Sequence, residues 1–172
     1  MTFSNKLTIL RIFLVPVFVA LMMLNMLWSA TAVFVIASLT EMLDGYLARK
    51  RNEITNFGKF ADPIADKILV VAALMCMVET AVIPAWSVII VIAREFIVSG
   101  LRMSAAAQNV VIAADGFGKI KTITQMVSIT MLLLGFGGIF GIVALVLFYV
   151  SVALTFMSGV SYIVQYKDVL MK

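Results

Sequence analysis

Two segments, EMLDGYLAR at residues 41–49 and GKFADPIAD at residues 58–66, stand out in this sequence. They contain four carboxylates in two pairs, spaced three and four residues apart: Glu41 and Asp44, then Asp62 and Asp66. On a helix, each spacing places both members of a pair on one face. A hairpin of two helices brings the two faces together, so we expect a cluster of four acids on a rigid helical support.

The rest of the chain is apolar. Of its 172 residues, 63% are hydrophobic and 13% are charged, against about 45–50% and about 25% in soluble domains. This composition indicates an all-α integral membrane protein, and the length suggests one domain, residues 1–172. Carboxylates in or near a membrane are costly, which favours a functional role for the four acids.

Apolar stretches long enough to cross a bilayer, about 20 residues each, predict the topology. They predict six transmembrane helices, at residues 6–27, 30–51, 59–80, 83–107, 118–136 and 140–165. The N-terminal run imitates a signal peptide, but the apolar character continues along the chain, so we interpret that run as the first span. Lysines and arginines are absent from the turns near residues 25–29, 80–84 and 135–141. By the positive-inside rule, both termini and the four acids are expected at the cytoplasmic face.

Four carboxylates provide hard oxygen donors, which suit Mg²⁺, Mn²⁺ or Ca²⁺. The chain has no histidine and a single cysteine, which excludes histidine-based metal sites, histidine general bases and an intrachain disulfide. Gly45 and Gly58 remove side chains where a ligand approaches the backbone, and Ala48 keeps the same face open. The alternative is a structural charge network with the neighbouring cations, but such a network does not need small residues on the carboxylate faces.

The pattern Glu41-x-x-Asp44-Gly45-x-x-Ala48-Arg49, followed by Gly58-x-x-x-Asp62-x-x-x-Asp66, resembles the signature of the CDP-alcohol phosphotransferases. The one departure is Glu41, where that family has aspartate. The resemblance implies a fold of six transmembrane helices, a homodimer and a cytoplasmic active site. It also implies attack of an alcohol on the lipid-side phosphate of a CDP-linked substrate, with CMP leaving.

Roles for individual residues follow from the same resemblance. The four acids would hold divalent metal, two ions of Mg²⁺ or Mn²⁺, and Asp66 would also take the proton of the alcohol. Residues expected to contact CDP are Asn5, Thr8, Arg11, Gly45, Ala48, Arg49 and Gly58. For the first three, an interfacial cap with a snorkelling arginine is the alternative. Glutamate at position 41 keeps the charge but adds a methylene, so we expect metal binding to be retained but reduced.

A second set of charges lies outside the signature, in the runs AREFIVSGLR at residues 93–102 and GKIKT at residues 118–122. Its cations, Arg94, Arg102, Lys119 and Lys121, are expected to form a basic pocket beside the metal ligands. Arginine suits bidentate phosphate binding, so this pocket favours an acceptor alcohol that itself carries phosphate. The alternatives are that Glu95 or another carboxylate is a structural partner of the arginines, and that the lysines anchor a span at the cytoplasmic side.

These two runs, together with NFGKFADPIADK at residues 56–67, are similar to one branch of the family, the bacterial phosphatidylglycerophosphate synthases. That branch implies transfer of a phosphatidyl group from CDP-diacylglycerol to sn-glycerol 3-phosphate in the bacterial plasma membrane. Two alternatives remain open at this point. One is a relative that uses inositol phosphate, serine or phosphatidylglycerol as acceptor. The other is a small divalent-cation transporter, although transporter sites lie near the bilayer midplane and often accompany inverted repeats.

Overall fold

The computed structural model describes the backbone of residues 3–51, 56–107 and 116–166, and the side chains of residues 8–40, 67–105 and 120–166. Throughout these ranges the regular structure is helical, which confirms the predicted all-α class. The helices are α1 (Phe3–Met23), α2 (Leu27–Arg51), α3 (Asn56–Glu79), α4 (Ala85–Ala107), α5 (Gly116–Leu133) and α6 (Gly138–Gln165).

Two of the predicted turns use the same backbone motif. Asn25 and Ala81 both adopt the left-handed conformation, each with φ of 56°. After α1, the amide of Met26 donates to the carbonyl of Leu21 at 3.0 Å, and the amide of Asn25 donates to the carbonyl of Met22 at 3.0 Å. The equivalent pair of bonds closes α3 around Ala81. This arrangement satisfies the last carbonyls of a helix and reverses the chain within a few residues.

The predicted turn between α5 and α6 is formed by glycines. Gly135 and Gly138 have φ of 63° and 64°, a conformation that other residues adopt only with strain. At Gly135, a Cβ would lie 3.3 Å from Cδ1 of Leu27. The turn therefore needs glycine at this position both for its backbone and for the space beside it.

One helix in the described ranges is long and apolar enough to cross a membrane, namely α6. Shorter apolar stretches occupy Thr8–Met23, Leu27–Thr40 and Ile120–Leu133. The prediction that all six helices are transmembrane therefore stays a prediction.

The helices divide into two compact units. In the first unit α1 packs against both α2 and α3. The ring of Phe18 lies 6.0 Å from that of Phe34, and Ala30 and Ala73 are fully buried. Small buried residues of this kind allow helix backbones to approach closely. This unit contains the helical backbone that carries all four predicted metal ligands.

In the second unit α4 packs against α6. Val98 and Leu101 of α4 form a buried cluster with Tyr162 of α6. Further towards the start of α4, Trp86 stacks on Tyr149 with ring centroids 6.0 Å apart. These contacts align α4 with α6 along much of their length and determine which polar residues meet. The prediction of a single domain is not decided by this division.

Candidate active site

Two arginines of α4 lie against one tyrosine of α6. Nη2 of Arg102 donates a hydrogen bond to the hydroxyl of Tyr162 at 2.9 Å. The guanidinium carbons of Arg102 and Arg94 lie 5.6 Å and 5.7 Å from the centroid of the same ring. Both distances are within the range of a cation–π interaction. The two arginines, eight residues apart, therefore share one helix face, as their spacing predicts.

A serine one turn earlier on α6 holds the first of these arginines. Nη2 of Arg94 donates to Oγ of Ser158 at 2.8 Å. Next to that serine is Gly159, where a Cβ would lie 3.1 Å from Cγ of Arg94. The α6 surface thus supplies an acceptor for the guanidinium and a gap for the aliphatic stem.

Glu95 joins α4 to α5 in this region. Its Oε1 accepts a hydrogen bond from Nη1 of Arg94 at 3.1 Å and another from Nζ of Lys121. The Lys121 side chain is only 5% exposed and that of Arg94 only 10%. Buried cations need a compensating charge, and Glu95 provides it. The structure thus brings together three of the four predicted basic residues, whereas the side chain of Lys119 lies outside the described set.

Arg94 has hydrogen-bonding capacity that the described protein does not use. Its Nε is buried and has no hydrogen-bond acceptor. A buried donor without an acceptor is unfavourable, costing about 1–3 kcal/mol. Arginine presents its donors in a planar fork, so an oxyanion that reached Nε would leave Nη1 and Nη2 with their protein acceptors.

Thr8 and Arg11 of α1 are both buried, with 0% and 2% of their surface exposed. The Arg11 guanidinium is therefore enclosed by protein, which by itself decides neither the CDP contact nor the interfacial-cap alternative. The structure leaves the predicted contact of Thr8 and Arg11 with a diphosphate untested. The side chain of Asn5 lies outside the described set.

The carboxylate signature lies on helical backbone. Glu41 and Asp44 fall in the last turns of α2, and Asp62 and Asp66 fall in the first half of α3. Because α2 contacts α3 and the chain connects their adjacent ends, the topology agrees with the predicted hairpin. The side chains of these acids, and those of Arg49 and Ala48, lie outside the described set, as do the surroundings of Gly45 and Gly58.

The metal site itself is therefore not tested by geometry. Among the side chains that are described, no group of three or more histidine, cysteine, aspartate or glutamate residues could hold an ion. The donor chemistry of the four predicted ligands, all carboxylates, fits a hard divalent ion. Their helical backbone fits the spacing from which the site was predicted.

The sequence did not reveal the part played by α6. None of Ser158, Gly159 and Tyr162 was predicted from the sequence to belong to the site. The sequence of α6 does contain one signal of a polar contact, because several hydroxyl groups lie in a helix without charged residues. Ser151 and Thr155 donate to carbonyls of their own helix, those of Phe148 and of Ser151 respectively, whereas Ser158 accepts from another helix. Only the packing of α4 distinguishes these uses.

Comparison with known proteins extends the resemblance to nearly the whole chain. The model of the CDP-alcohol phosphatidyltransferase family matches residues 1–157. A Bacillus subtilis protein named CDP-diacylglycerol–glycerol-3-phosphate 3-phosphatidyltransferase is 46% identical over 145 residues, which is 76% of this chain and 75% of that protein.

Two further relatives carry the same name. The Haemophilus influenzae protein is 42% identical over 167 residues, covering 91% of this chain and 89% of its own length. The Rickettsia typhi protein is 37% identical over 165 residues, covering 92% and 93%. A family match over most of the chain, joined by relatives of this similarity, leads to one conclusion: the chain belongs to the CDP-alcohol phosphatidyltransferase family.

Proposed function

We propose that this protein transfers the phosphatidyl group of CDP-diacylglycerol to sn-glycerol 3-phosphate, giving phosphatidylglycerol phosphate and CMP. The observation that carries the choice of acceptor is the basic cluster formed by Arg94, Arg102 and Lys121. A diphosphate bound by metal ions does not need these cations, whereas the phosphate of a second substrate does. The unused Nε of Arg94 is a donor suited to that phosphate, and the names of the relatives specify the same acceptor.

The remaining roles are proposed from the resemblance to the family signature. Glu41, Asp44, Asp62 and Asp66 would hold two divalent ions, Mg²⁺ or Mn²⁺. Ions bound there would offset the negative charge of the diphosphate. Asp66 would also accept the proton of the acceptor hydroxyl, so that its oxygen can attack the lipid-side phosphorus. That attack forms the new P–O bond and breaks the bond to CMP.

The CDP part of the donor is proposed to contact α1 and the small residues of the signature. Thr8 and Arg11 lie three residues apart on α1 and are buried, and Asn5 lies one turn earlier. Arg49 would add a second cation. The other contributors are positions where a short or absent side chain leaves room for the nucleotide: Gly45, Ala48 and Gly58.

We also propose that the protein is a multi-pass bacterial plasma-membrane enzyme and a homodimer, with six spans and both termini in the cytoplasm. The exposed apolar residues of every helix support burial in lipid, for example Phe13, Trp28, Met75, Ile89 and Ile142. The absence of lysine and arginine from the three predicted outer turns supports the orientation.

The activity is tested with purified protein in detergent, CDP-diacylglycerol, Mg²⁺ and a panel of acceptor alcohols, with CMP release as the readout. We expect release with sn-glycerol 3-phosphate and a loss of about 10²- to 10⁴-fold in the Asp66→Asn variant. Release with inositol phosphate or serine but not with glycerol 3-phosphate would overturn the acceptor. No release with any acceptor, even in the Glu41→Asp variant, would overturn the enzymatic activity.

A further inference from the structure

Glu95 places a negative charge inside a cluster that is otherwise suited to binding anions. Its Oε1 is shared between Arg94 Nη1 and Lys121 Nζ. With 26% of its side chain exposed, it is the most accessible member of this trio. A carboxylate in that place satisfies Nζ of Lys121, a donor that a phosphate oxygen would also use.

The position of Arg94 does not depend on Glu95 alone. Its Nη2 is held by Ser158 at 2.8 Å, its guanidinium lies over the ring of Tyr162, and its stem fits the gap at Gly159. Removing the charge of Glu95 therefore leaves Arg94 supported by α6. The principal effect of that removal is electrostatic, because it eliminates an anion next to Lys121.

We propose that Glu95 is an internal competitor for the acceptor's phosphate. It occupies Nζ of Lys121 and gives up that donor when a phosphate monoester binds. This inference rests on the proposed function and adds a regulating residue to the same site.

The chemistry of the reaction supplies a reason for such a residue. The acceptor reacts through a hydroxyl, so its phosphate monoester is still present in the product. A basic cluster without an internal anion would hold product and substrate equally tightly, and tight product binding slows turnover. By weakening both complexes, the carboxylate raises the Michaelis constant for the acceptor and speeds release of the product.

The test uses Glu95→Gln, which keeps the shape and one oxygen but removes the charge, and sulfate as a tetrahedral dianion probe. We expect the inhibition constant of sulfate and the KM for glycerol 3-phosphate to fall by about fivefold. We expect kcat to fall as well, whereas the KM for CDP-diacylglycerol should not change. A residue that merely orients the cations would give the opposite result, a rise in the sulfate inhibition constant and in the KM for glycerol 3-phosphate. That outcome, or an unchanged sulfate inhibition constant, overturns the proposal.

Two controls test whether the effect is specific to the charge of Glu95 and whether it acts through Lys121. Glu79→Gln removes an exposed carboxylate from the last residue of α3 and should leave the sulfate constant unchanged. In a Lys121→Gln background, the effect of Glu95→Gln on sulfate should shrink to about twofold or less, because contacting residues are energetically coupled. An undiminished effect would show that Glu95 does not act through Lys121.

Sulfate binding can also be followed without turnover, as the sulfate concentration that gives half-maximal thermal stabilisation. This readout separates the two proposals, since an inactive wild-type protein would overturn the function while the sulfate shift would still decide the role of Glu95. If Glu95→Gln does not fold, Glu95→Asp replaces it. Its shorter side chain draws the carboxylate away from Lys121, so sulfate should bind more tightly than to the wild type, and weaker binding overturns the proposal.

Discussion

Arg102 of α4 donates a hydrogen bond to the hydroxyl of Tyr162 on α6 at 2.9 Å, and the same aromatic ring lies against the guanidinium of Arg94. One buried tyrosine, 3% exposed, thus supports two cations that are eight residues apart in sequence. The relationship makes α6, a helix without charged residues, part of the basic cluster. It also allows that cluster to be tested one contact at a time.

The first prediction concerns Arg102. Replacing it with alanine should raise the KM for glycerol 3-phosphate by about tenfold or more, because a charge-assisted hydrogen bond to phosphate is lost. The KM for CDP-diacylglycerol should change much less, and steady-state kinetics with each substrate varied in turn measures both. A larger effect on the lipid would remove Arg102 from the acceptor site.

The second prediction concerns the hydroxyl of Tyr162. Tyr162→Phe keeps the ring beneath both arginines but removes the acceptor used by Arg102, so the KM for glycerol 3-phosphate should rise by about threefold to tenfold. Tyr162→Leu also removes the ring and should raise it further. The matched control is Tyr149→Phe on the same helix, whose ring stacks on Trp86 and which should leave this KM unchanged. Equal effects at the two tyrosines would contradict a specific role for Tyr162.

The third prediction concerns the space at Gly159. A Cβ there would lie 3.1 Å from Cγ of Arg94, so Gly159→Ala should displace the arginine and destabilise the protein by about 1 kcal/mol. A lowered Tm together with a raised KM for glycerol 3-phosphate is expected. Gly100→Ala on α4 is the control, because a Cβ there meets nothing within 4 Å and the substitution should not lower the Tm. An unchanged Tm in Gly159→Ala would show that α6 accommodates the added methyl group without loss of stability, which would contradict the prediction.

The fourth prediction concerns the metal ligands. Chelation should abolish CMP release, and added Mg²⁺ or Mn²⁺ should restore it. Glu41→Asp should lower the Mg²⁺ concentration needed for half-maximal activity, because it removes the extra methylene, whereas Asp62→Asn should raise that concentration several-fold. Metal titration of the three proteins checks this order. Activity that survives exhaustive chelation would remove metal from the proposal.

The fifth prediction concerns topology. In a Cys76→Ala background, an impermeant thiol reagent applied to intact bacterial cells should label Met26→Cys in the turn between α1 and α2. It should label Lys172→Cys only after the membrane is opened. The turn lacks lysine and arginine and the C-terminal region has them, which is the basis for this orientation. The reverse labelling pattern would invert the proposed topology.

Much of this protein could be read from residue order because its strongest signals are local. Apolar stretches predicted the helices to within a few residues, and the interval between the last two stretches predicted the turn before α6, where φ is positive at Gly135 and Gly138. Spacings of three and four residues placed each pair of acids on one helical stretch, of α2 or of α3. The signature that those acids form was sufficient to indicate the family. Each of these features depends on the geometry of a single helix or turn, which short-range sequence determines.

The surroundings of the basic cluster depend on contacts between helices. The sequence placed Arg94 and Arg102 on one face of α4. It could not show that Ser158 and Tyr162, about 60 residues later, would accept their hydrogen bonds. Nor could it say that Glu95 would share its carboxylate between Arg94 and Lys121 rather than simply balance a neighbouring charge. Hydroxyls in an apolar helix can bond to their own backbone, as Ser151 does, or to another helix, as Ser158 does. The packing of α4 on α6 decides between these outcomes, because an arginine of α4 bonds to the acceptors that the facing helix presents.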